Sequence, residues 1–157
     1  MNIERWILLA VYVVGIGILL FIPKNKIRLA VVAFLFMRVI TFVAGLVAVE
    51  LGWIEYPVRI FASVNRTSFT YEFFAFPVIS AAFNVWYPKG RSIRNQLIYY
   101  VAYSSTLTSL EILIEKFTKL IHYIEWEWYH TWITISVSLV LAHLFCKWFF
   151  AKTKEAV

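Results

Sequence analysis

Five apolar stretches, each long enough to cross a lipid bilayer as a helix, constrain this chain more than any other feature of its sequence. A hydrocarbon core of about 30 Å requires roughly 20 apolar residues in helical form. The stretches cover residues 6–22, 29–51, 69–87, 96–114 and 129–150. They predict an all-α fold in which five transmembrane helices form one integral membrane domain over residues 1–157.

The composition disfavours the soluble classes of protein. Apolar residues make up 62% of the chain and charged residues 15%, whereas a soluble domain is about half apolar and about a quarter charged. So little polar surface does not cover a water-facing shell around this much hydrocarbon. We therefore expect the lipid bilayer to be the main partner of the chain, and we expect no nucleic acid to be bound.

The residue inventory supports neither an enzyme nor a metal centre. All nine acidic residues are glutamates, and Cys146 is the only cysteine, which excludes a multi-cysteine metal site. The sequence has no glycine-rich phosphate loop and no metalloprotease motif. We predict a protein that is not an enzyme and holds no cofactor, although catalysis inside the membrane by Glu and His stays open.

Lysine and arginine are unevenly divided between the two ends of the predicted bundle, and such residues favour the cytoplasmic side of a membrane. The uneven division predicts an outer amino terminus and an inner carboxyl terminus. The outer connections, residues 52–68 and 115–128, are expected to form short helices along the membrane surface. The inner residues are Lys24, Lys26, Arg28, Lys89, Arg91, Arg94, Lys147, Lys152 and Lys154, and the outer ones are Arg5, Arg59, Arg66, Lys116 and Lys119.

One arginine falls near the middle of the second span, where a charge is costly in lipid. At 1.5 Å of rise per residue, Arg38 lies roughly 13 Å from the inner edge of the membrane. Ser80, Ser104 and Ser105 fall at about the same depth. These four side chains are predicted to form a polar layer at the midplane. Alternatively, the Arg38 side chain extends towards the inner headgroups.

A polar stripe follows the fourth span at spacings of four and three residues, which places its members on one face of a helix. One interpretation is a hydrogen-bonded seam between helices. The other is the wall of a hydrated path that opens outwards. The stripe consists of Ser104, Thr108, Glu111, Glu115, Thr118 and His122.

Four glutamates are predicted to surround one acidic vestibule at the outer end of the bundle, with Arg59 and His122 as available counter-charges. Clustered carboxylates could bind a proton or a small cation. Glu72 and Glu111 lie deepest and are the preferred binding groups. The alternative is ordinary ion pairing, such as Glu115 with Lys119 one helical turn on. The four glutamates are Glu50, Glu72, Glu111 and Glu115.

Several short motifs lie mostly in the predicted outer half of the chain, namely Ile54-Glu55-Tyr56-Pro57-Val58-Arg59, Thr67-Ser68-Phe69 with Glu72, Tyr87-Pro88, Glu115-Lys116-Phe117-Thr118, Leu120-Ile121-His122-Tyr123 and Trp126-Glu127-Trp128-Tyr129 followed by Thr131-Trp132. They resemble landmarks of a family of small uncharacterised multi-pass membrane proteins of endospore-forming Firmicutes. The resemblance implies a bacterial cytoplasmic membrane or a spore membrane, and it assigns no catalytic residue.

Two functions follow as hypotheses. The first is a small transport, channel or ion-sensing protein whose outward-facing acidic pocket binds a proton or a small cation. The second is a non-transporting assembly or scaffold subunit, in which the polar stripe only packs helices together. Five spans in 157 residues leave little room for a private path, so a homo-oligomer or a larger membrane complex is expected.

Overall fold

The computed structural model describes residues 3–151, which form five α-helices and one short pairing between two loops. This architecture confirms the all-α prediction. The helices are α1 (Ile3–Leu20), α2 (Ile27–Glu50), α3 (Phe76–Val85), α4 (Ile93–Phe117) and α5 (Trp128–Phe149). The remaining elements are a 3-10 turn at Lys24–Lys26, strand β1 (Ile54–Glu55), a π-helical turn at Tyr71–Ala75 and strand β2 (His122–Tyr123).

Four helical stretches are long and apolar enough to cross a membrane, namely α1, α4, α5 and α2 together with the turn before it. They are 18 to 27 residues long, and at most 28% of their most apolar 18-residue window is buried inside the protein. Most of their apolar side chains therefore face outwards, as Val13 and Val39 do. Contact with lipid is favourable for such apolar surfaces, whereas contact with water is unfavourable. The chain thus has the construction of a membrane-embedded protein.

The third predicted span is shorter than expected and is the most enclosed element. Helical conformation runs from residue 69 through the π-helical turn to Val85, so the span ends two residues before the predicted end at 87. Eight of the ten residues of α3 are buried, since α1, α2 and α5 all pack against the region that it occupies. A helix that protein covers on all sides is largely apolar, and the two polar residues of α3, Ser80 and Asn84, are both buried and hydrogen-bonded.

The centre of the bundle is an apolar cluster that belongs to α2, α3 and α5. Phe83 is fully buried, and the rings of three α4 tyrosines surround it with centroids 4.8–5.1 Å away. Such tilted and edge-on ring pairs add to the stabilisation from burial. The buried members of this cluster are Met37, Phe83, Ile135, Leu139 and Ala142.

At one end of the bundle the side chain of Lys26 donates a hydrogen bond to the carbonyl of Val85 at 2.6 Å. This contact ties the turn between α1 and α2 to the end of α3. Nearby, the His143 Nδ1 atom lies 3.0 Å from the Asn84 Oδ1 atom in a buried hydrogen bond. The loops rich in lysine and arginine at residues 23–26 and 86–92 therefore meet at the same end.

At the opposite end the expected surface helices are wrong. Neither residues 52–68 nor the loop after α4 forms a helix of its own. Instead the two loops pair with each other, because β1 and β2 form an antiparallel ladder and the Val58 N–H donates to the Lys119 carbonyl at 3.0 Å. Each loop thereby supplies partners for backbone groups that the other leaves open. The paired residues are Ile54 with Tyr123 and Glu55 with His122.

Candidate functional site

A cavity of about 110 Å³ lies between α2, the π-helical turn, α4 and α5, beneath the paired loops. Its floor is the central apolar cluster, since Met37 and Leu139 belong to both. Two of its walls carry a carboxyl group, and no described residue that lines it is basic. Its polar lining is Thr41, Glu72, Glu111, Thr131, Thr134 and Ser138, and its aromatic lining is Tyr56, Tyr71, Phe76 and Trp126.

Glu72 extends from the π-helical turn into the cavity, and only 3% of the residue is exposed. Its Oε2 atom accepts a hydrogen bond from the Thr67 hydroxyl at 2.7 Å. Its Oε1 atom is buried and has no hydrogen-bond partner among residues 3–151. A carboxylate that is charged and buried with an unpartnered oxygen destabilises the folded protein by about several kcal/mol. A proton or a cation at Oε1 removes that cost.

The hydrogen bonds around Thr67 fit a protonated Glu72. The Thr67 backbone N–H donates to Asn65 Oδ1 at 3.1 Å, which orients the amide oxygen towards Thr67. The Thr67 hydroxyl then lies 3.0 Å from that oxygen and 2.7 Å from Glu72 Oε2. One hydroxyl carries one proton and cannot donate to both acceptors. When Glu72 is protonated at Oε2, it donates to the Thr67 hydroxyl, which then donates to Asn65 Oδ1; when Glu72 is a carboxylate, the Thr67 hydroxyl donates to Oε2 instead.

Pro77 explains why Glu72 lies in a π-helical turn. Proline has no N–H to continue a helix, and the Phe76 N–H donates to the Tyr71 carbonyl five residues back. In this register the carbonyl of Glu72 would need the missing N–H of Pro77. The Thr41 hydroxyl of α2 lies 2.8 Å from that carbonyl and 2.9 Å from the Met37 carbonyl of its own helix, and its one proton is shared between them. The π-helical turn therefore joins the Glu72 backbone to α2 and sets the depth of its side chain.

A glycine on α2 makes room for the Glu72 carboxyl group. A Cβ atom placed on Gly45 would overlap Glu72 Oε1 and would lie 2.7 Å from Glu72 Cδ. Gly15 of α1 similarly faces the Phe74 ring, whereas a Cβ on Gly17 would meet no described atom within 4 Å. Close approach at two of these glycines is the contact expected from small residues in membrane helices.

Glu111 of α4 forms the opposite wall and is 8% exposed. Its Oε1 atom accepts hydrogen bonds from the Tyr123 hydroxyl at 2.6 Å and from the Thr131 hydroxyl at 2.9 Å. Trp126 adds a donor to this group, because its indole N–H donates to Thr131 Oγ1 at 2.8 Å. Glu111 thus links α4 to β2 and α5, and these donors hold its carboxyl group in place.

Tyr56 covers the cavity from the loop that follows α2 and lies near both carboxyl groups. Burial raises the pKa of its phenol, and the charges of Glu111 and Glu72 raise that pKa further. Burial and the adjacent Glu111 likewise raise the pKa of Tyr123. Both phenols therefore keep their protons across the physiological range, and Tyr123 remains a hydrogen-bond donor to Glu111.

Arg59 organises the loop that carries Tyr56 and does not neutralise the cavity. Its guanidinium donates to the carbonyls of Tyr56 and Asn65, both at 2.7 Å, and to that of Ala62 at 3.3 Å. These carbonyls occupy the planar fork of donors that arginine offers. The predicted counter-charge role of Arg59 is therefore replaced by a loop-stabilising one.

The structure brings together two of the four predicted acidic residues. Glu72 and Glu111 both line the cavity, and Glu50 and Glu115 do not. The Glu50 side chain is 64% exposed, and it lies 3.5 Å from the guanidinium of Arg66 in a surface ion pair. Glu50 is the last residue of α2, and its exposed side chain faces away from the cavity.

The polar stripe points inward over its first three members only. Ser104, Thr108 and Glu111 are buried. The helix ends at Phe117, where the next residue adopts an extended conformation and its hydroxyl donates to the carbonyl of residue 114 at 2.6 Å. The stripe as a single helical face is therefore wrong beyond Glu115. Thr118 caps the helix, and His122 is an exposed residue of β2.

The predicted midplane layer does not form a connected network, because its four members have separate partners. Arg38 is exposed, and its guanidinium carbon lies 4.4 Å from the centroid of the Phe73 ring. Ser80 donates to the Ala33 carbonyl at 3.4 Å. Ser104 accepts a hydrogen bond from Ser136, and Ser105 accepts one from Trp132. Residues at equal depth lie at one level of the membrane but need not lie on facing sides of their helices, so the rotation of each helix decides which of them meet.

Sequence reasoning missed the groups that hold the two carboxyl groups in place. These are Thr41, Gly45, Tyr56, Thr67, Tyr123 and Thr131. Most come from loops or from other helices, so no spacing along α4 indicates them. Pro77 inside an apolar span was the one local indication of an irregular helix at Glu72.

Within residues 3–151, no three His, Cys or Glu side chains converge in a way that could hold a metal ion. The cavity donors are instead two carboxyl groups, hydroxyls and aromatic rings. The chain matches no protein family model, no curated protein and no solved structure. The geometry of the cavity is therefore the main indication of what the protein does.

Proposed function

We propose that this chain is a multi-pass membrane protein that binds a proton or a small cation in the outer half of its helix bundle, as a step in transport, channel conduction or sensing. The observation that carries the proposal is the pair Glu72 and Glu111 in one cavity whose described lining holds no basic residue. Carboxyl groups in such surroundings need protons or an external positive charge. Glu72 provides the vacant acceptor and Glu111 a fixed second carboxyl.

The proposed topology has five crossings with the amino terminus outside. The contact between Lys26 and Val85 places the α1–α2 turn and the loop after α3 at one end. Described basic residues concentrate there, which supports a cytoplasmic location for this end. Lys152 and Lys154 lie outside the described residues. At 1.5 Å per residue, Tyr71–Val85 spans about 22 Å. Because neighbouring helices enclose it, we assign it as the third and shortest of the five crossings.

The proposed path has a closed inner side. Below Glu72 and Glu111, the cavity ends at the apolar cluster around Met37, Phe83 and Leu139. An apolar constriction excludes ions unless it opens. In this proposal the cation reaches the carboxyl groups from the outer side, and movement of the cluster controls passage to the inner side.

The test is cation and proton flux into vesicles that contain the purified protein, with Glu72→Gln and Glu111→Gln as the variants. Glu50→Gln is the matched control, because it removes an exposed carboxyl group at the same end of the bundle. We expect flux with the wild type and with Glu50→Gln, and a strong decrease with either cavity variant. Flux that is unchanged in both cavity variants would refute the site assignment.

A second function, a scaffold subunit, is favoured by one observation. Arg38 lies in the middle of α2 and is exposed, with a single ring beneath it. A charge at this depth is costly against lipid, so a second copy or another membrane protein would cover it. Absence of any flux with a normally folded protein would favour this function.

The proposed location is a bacterial cytoplasmic or spore membrane.

A further inference from the structure

The cavity has features that distinguish among cations, and this inference rests on the proposed function. Its carboxyl groups share the space with four aromatic residues, Tyr56, Tyr71, Phe76 and Trp126. Within residues 3–151 no three His, Cys or Glu side chains converge on one point, and aromatic rings flank the two carboxyl groups of the cavity. Aromatic surfaces instead attract organic cations through their negatively polarised ring faces.

The free acceptor at Glu72 specifies a further property of the ligand. Its Oε1 atom is buried and unpartnered, whereas its Oε2 atom is bonded to Thr67. The unpartnered oxygen lies against Gly45 in the cavity wall and has almost no exposed surface, so a ligand contacts it only when the carboxyl group turns into the cavity. An N–H donor satisfies this acceptor, and a quaternary ammonium cannot, because it has no N–H.

The size of the cavity limits the rest of the ligand. Its volume is about 110 Å³, and an apolar protein cavity of about 150 Å³ holds benzene. A ligand of roughly three to five heavy atoms therefore fits on this comparison. The floor residues Met37 and Leu139 are apolar and suit short alkyl groups.

We propose that the ligand is a small alkylammonium ion that carries at least one N–H. Its nitrogen donates to Glu72 Oε1, the charge lies between Glu72 and Glu111, and its alkyl groups contact the aromatic lining. This arrangement pairs the charge, fills the vacant acceptor and buries the alkyl carbons at the same time. A second, smaller cavity is lined by Lys89 and Lys147 and holds no carboxyl group.

The test is calorimetric titration of the purified protein with isopropylammonium, tetramethylammonium and potassium chlorides at equal ionic strength. We expect saturable binding of isopropylammonium that is about ten-fold or more tighter than binding of the other two, the difference expected for one charged hydrogen bond. Glu72→Gln should weaken that binding by about ten-fold or more, and Glu50→Gln should leave it unchanged. The comparison of ligands uses the wild-type protein, so it holds even if a variant fails to fold.

The outcomes separate this inference from the proposed function. Binding or flux of potassium or protons that depends on Glu72, without isopropylammonium binding, would overturn the alkylammonium assignment and leave the proposed function standing. Equal binding of isopropylammonium and tetramethylammonium would overturn the role of the N–H donor. Failure of every cation to bind and to cross would overturn both proposals.

Discussion

Replacement of Gly45 by alanine tests the geometry of the cavity most directly. The new Cβ would overlap Glu72 Oε1, and the Glu72 side chain is held on its other side by the Thr67 hydroxyl at 2.7 Å. The carboxyl group can therefore move only by breaking that hydrogen bond. Gly17→Ala is the matched control, because a Cβ on Gly17 meets no described atom within 4 Å.

The magnitude follows from three effects on the free energy of unfolding. Alanine gains about 1 kcal/mol over glycine inside a helix. Against this gain, an overpacked side chain costs about 1–3 kcal/mol, and the lost hydrogen bond costs about 1 kcal/mol. We therefore expect Gly45→Ala to lower the free energy of unfolding by about 1–3 kcal/mol, and Gly17→Ala to raise it by up to about 1 kcal/mol.

Thermal unfolding in detergent micelles, followed by tryptophan fluorescence, measures this difference. For a chain of this length the midpoint changes by about 2–4 °C for each kcal/mol. The double variant Gly45→Ala/Glu72→Ala has no carboxyl group to displace, so we expect it to regain most of the loss caused by Gly45→Ala. A Gly45→Ala protein as stable as Gly17→Ala would show that Glu72 does not lie against α2.

Three further predictions are tested by the same unfolding measurement or by amide hydrogen exchange. Thr41→Val leaves the Glu72 carbonyl without its donor and should lower the free energy of unfolding by about 1–3 kcal/mol; no loss would mean that another group satisfies this carbonyl. Arg59→Lys cannot reach three carbonyls, so amide hydrogen exchange in residues 56–66 should accelerate, and unchanged exchange would exclude the loop-stabilising role. Tyr123→Phe should destabilise the protein by about 1–3 kcal/mol. Because the pKa of Tyr123 is raised in the folded state, its contribution is complete below the ordinary tyrosine pKa of about 10 and decreases as pH rises above it. The alkaline loss of stability should therefore be less steep in Tyr123→Phe, and an unchanged slope would contradict this.

Several features of the fold could be predicted because they depend on local patterns. Apolar runs of sufficient length predict helices, and Pro23 and Pro88 mark where helical runs stop. The spacing of Ser104, Thr108 and Glu111 predicts that they share a face, and all three are buried. Depth along a helix indicated that Glu72 and Glu111 lie near one level, and both line the same cavity.

The composition and periodicity of the chain were sufficient to establish its helical, membrane-type construction, because lipid demands long apolar helices whatever their arrangement. Tertiary structure alone decided which polar groups meet. The rotation of α2 places Arg38 on an exposed surface and Gly45 against Glu72, and the pairing of two distant loops brings Tyr56 and Tyr123 to the carboxyl groups. Rotation and loop pairing depend on contacts between residues far apart in the chain, and hydropathy does not encode those contacts.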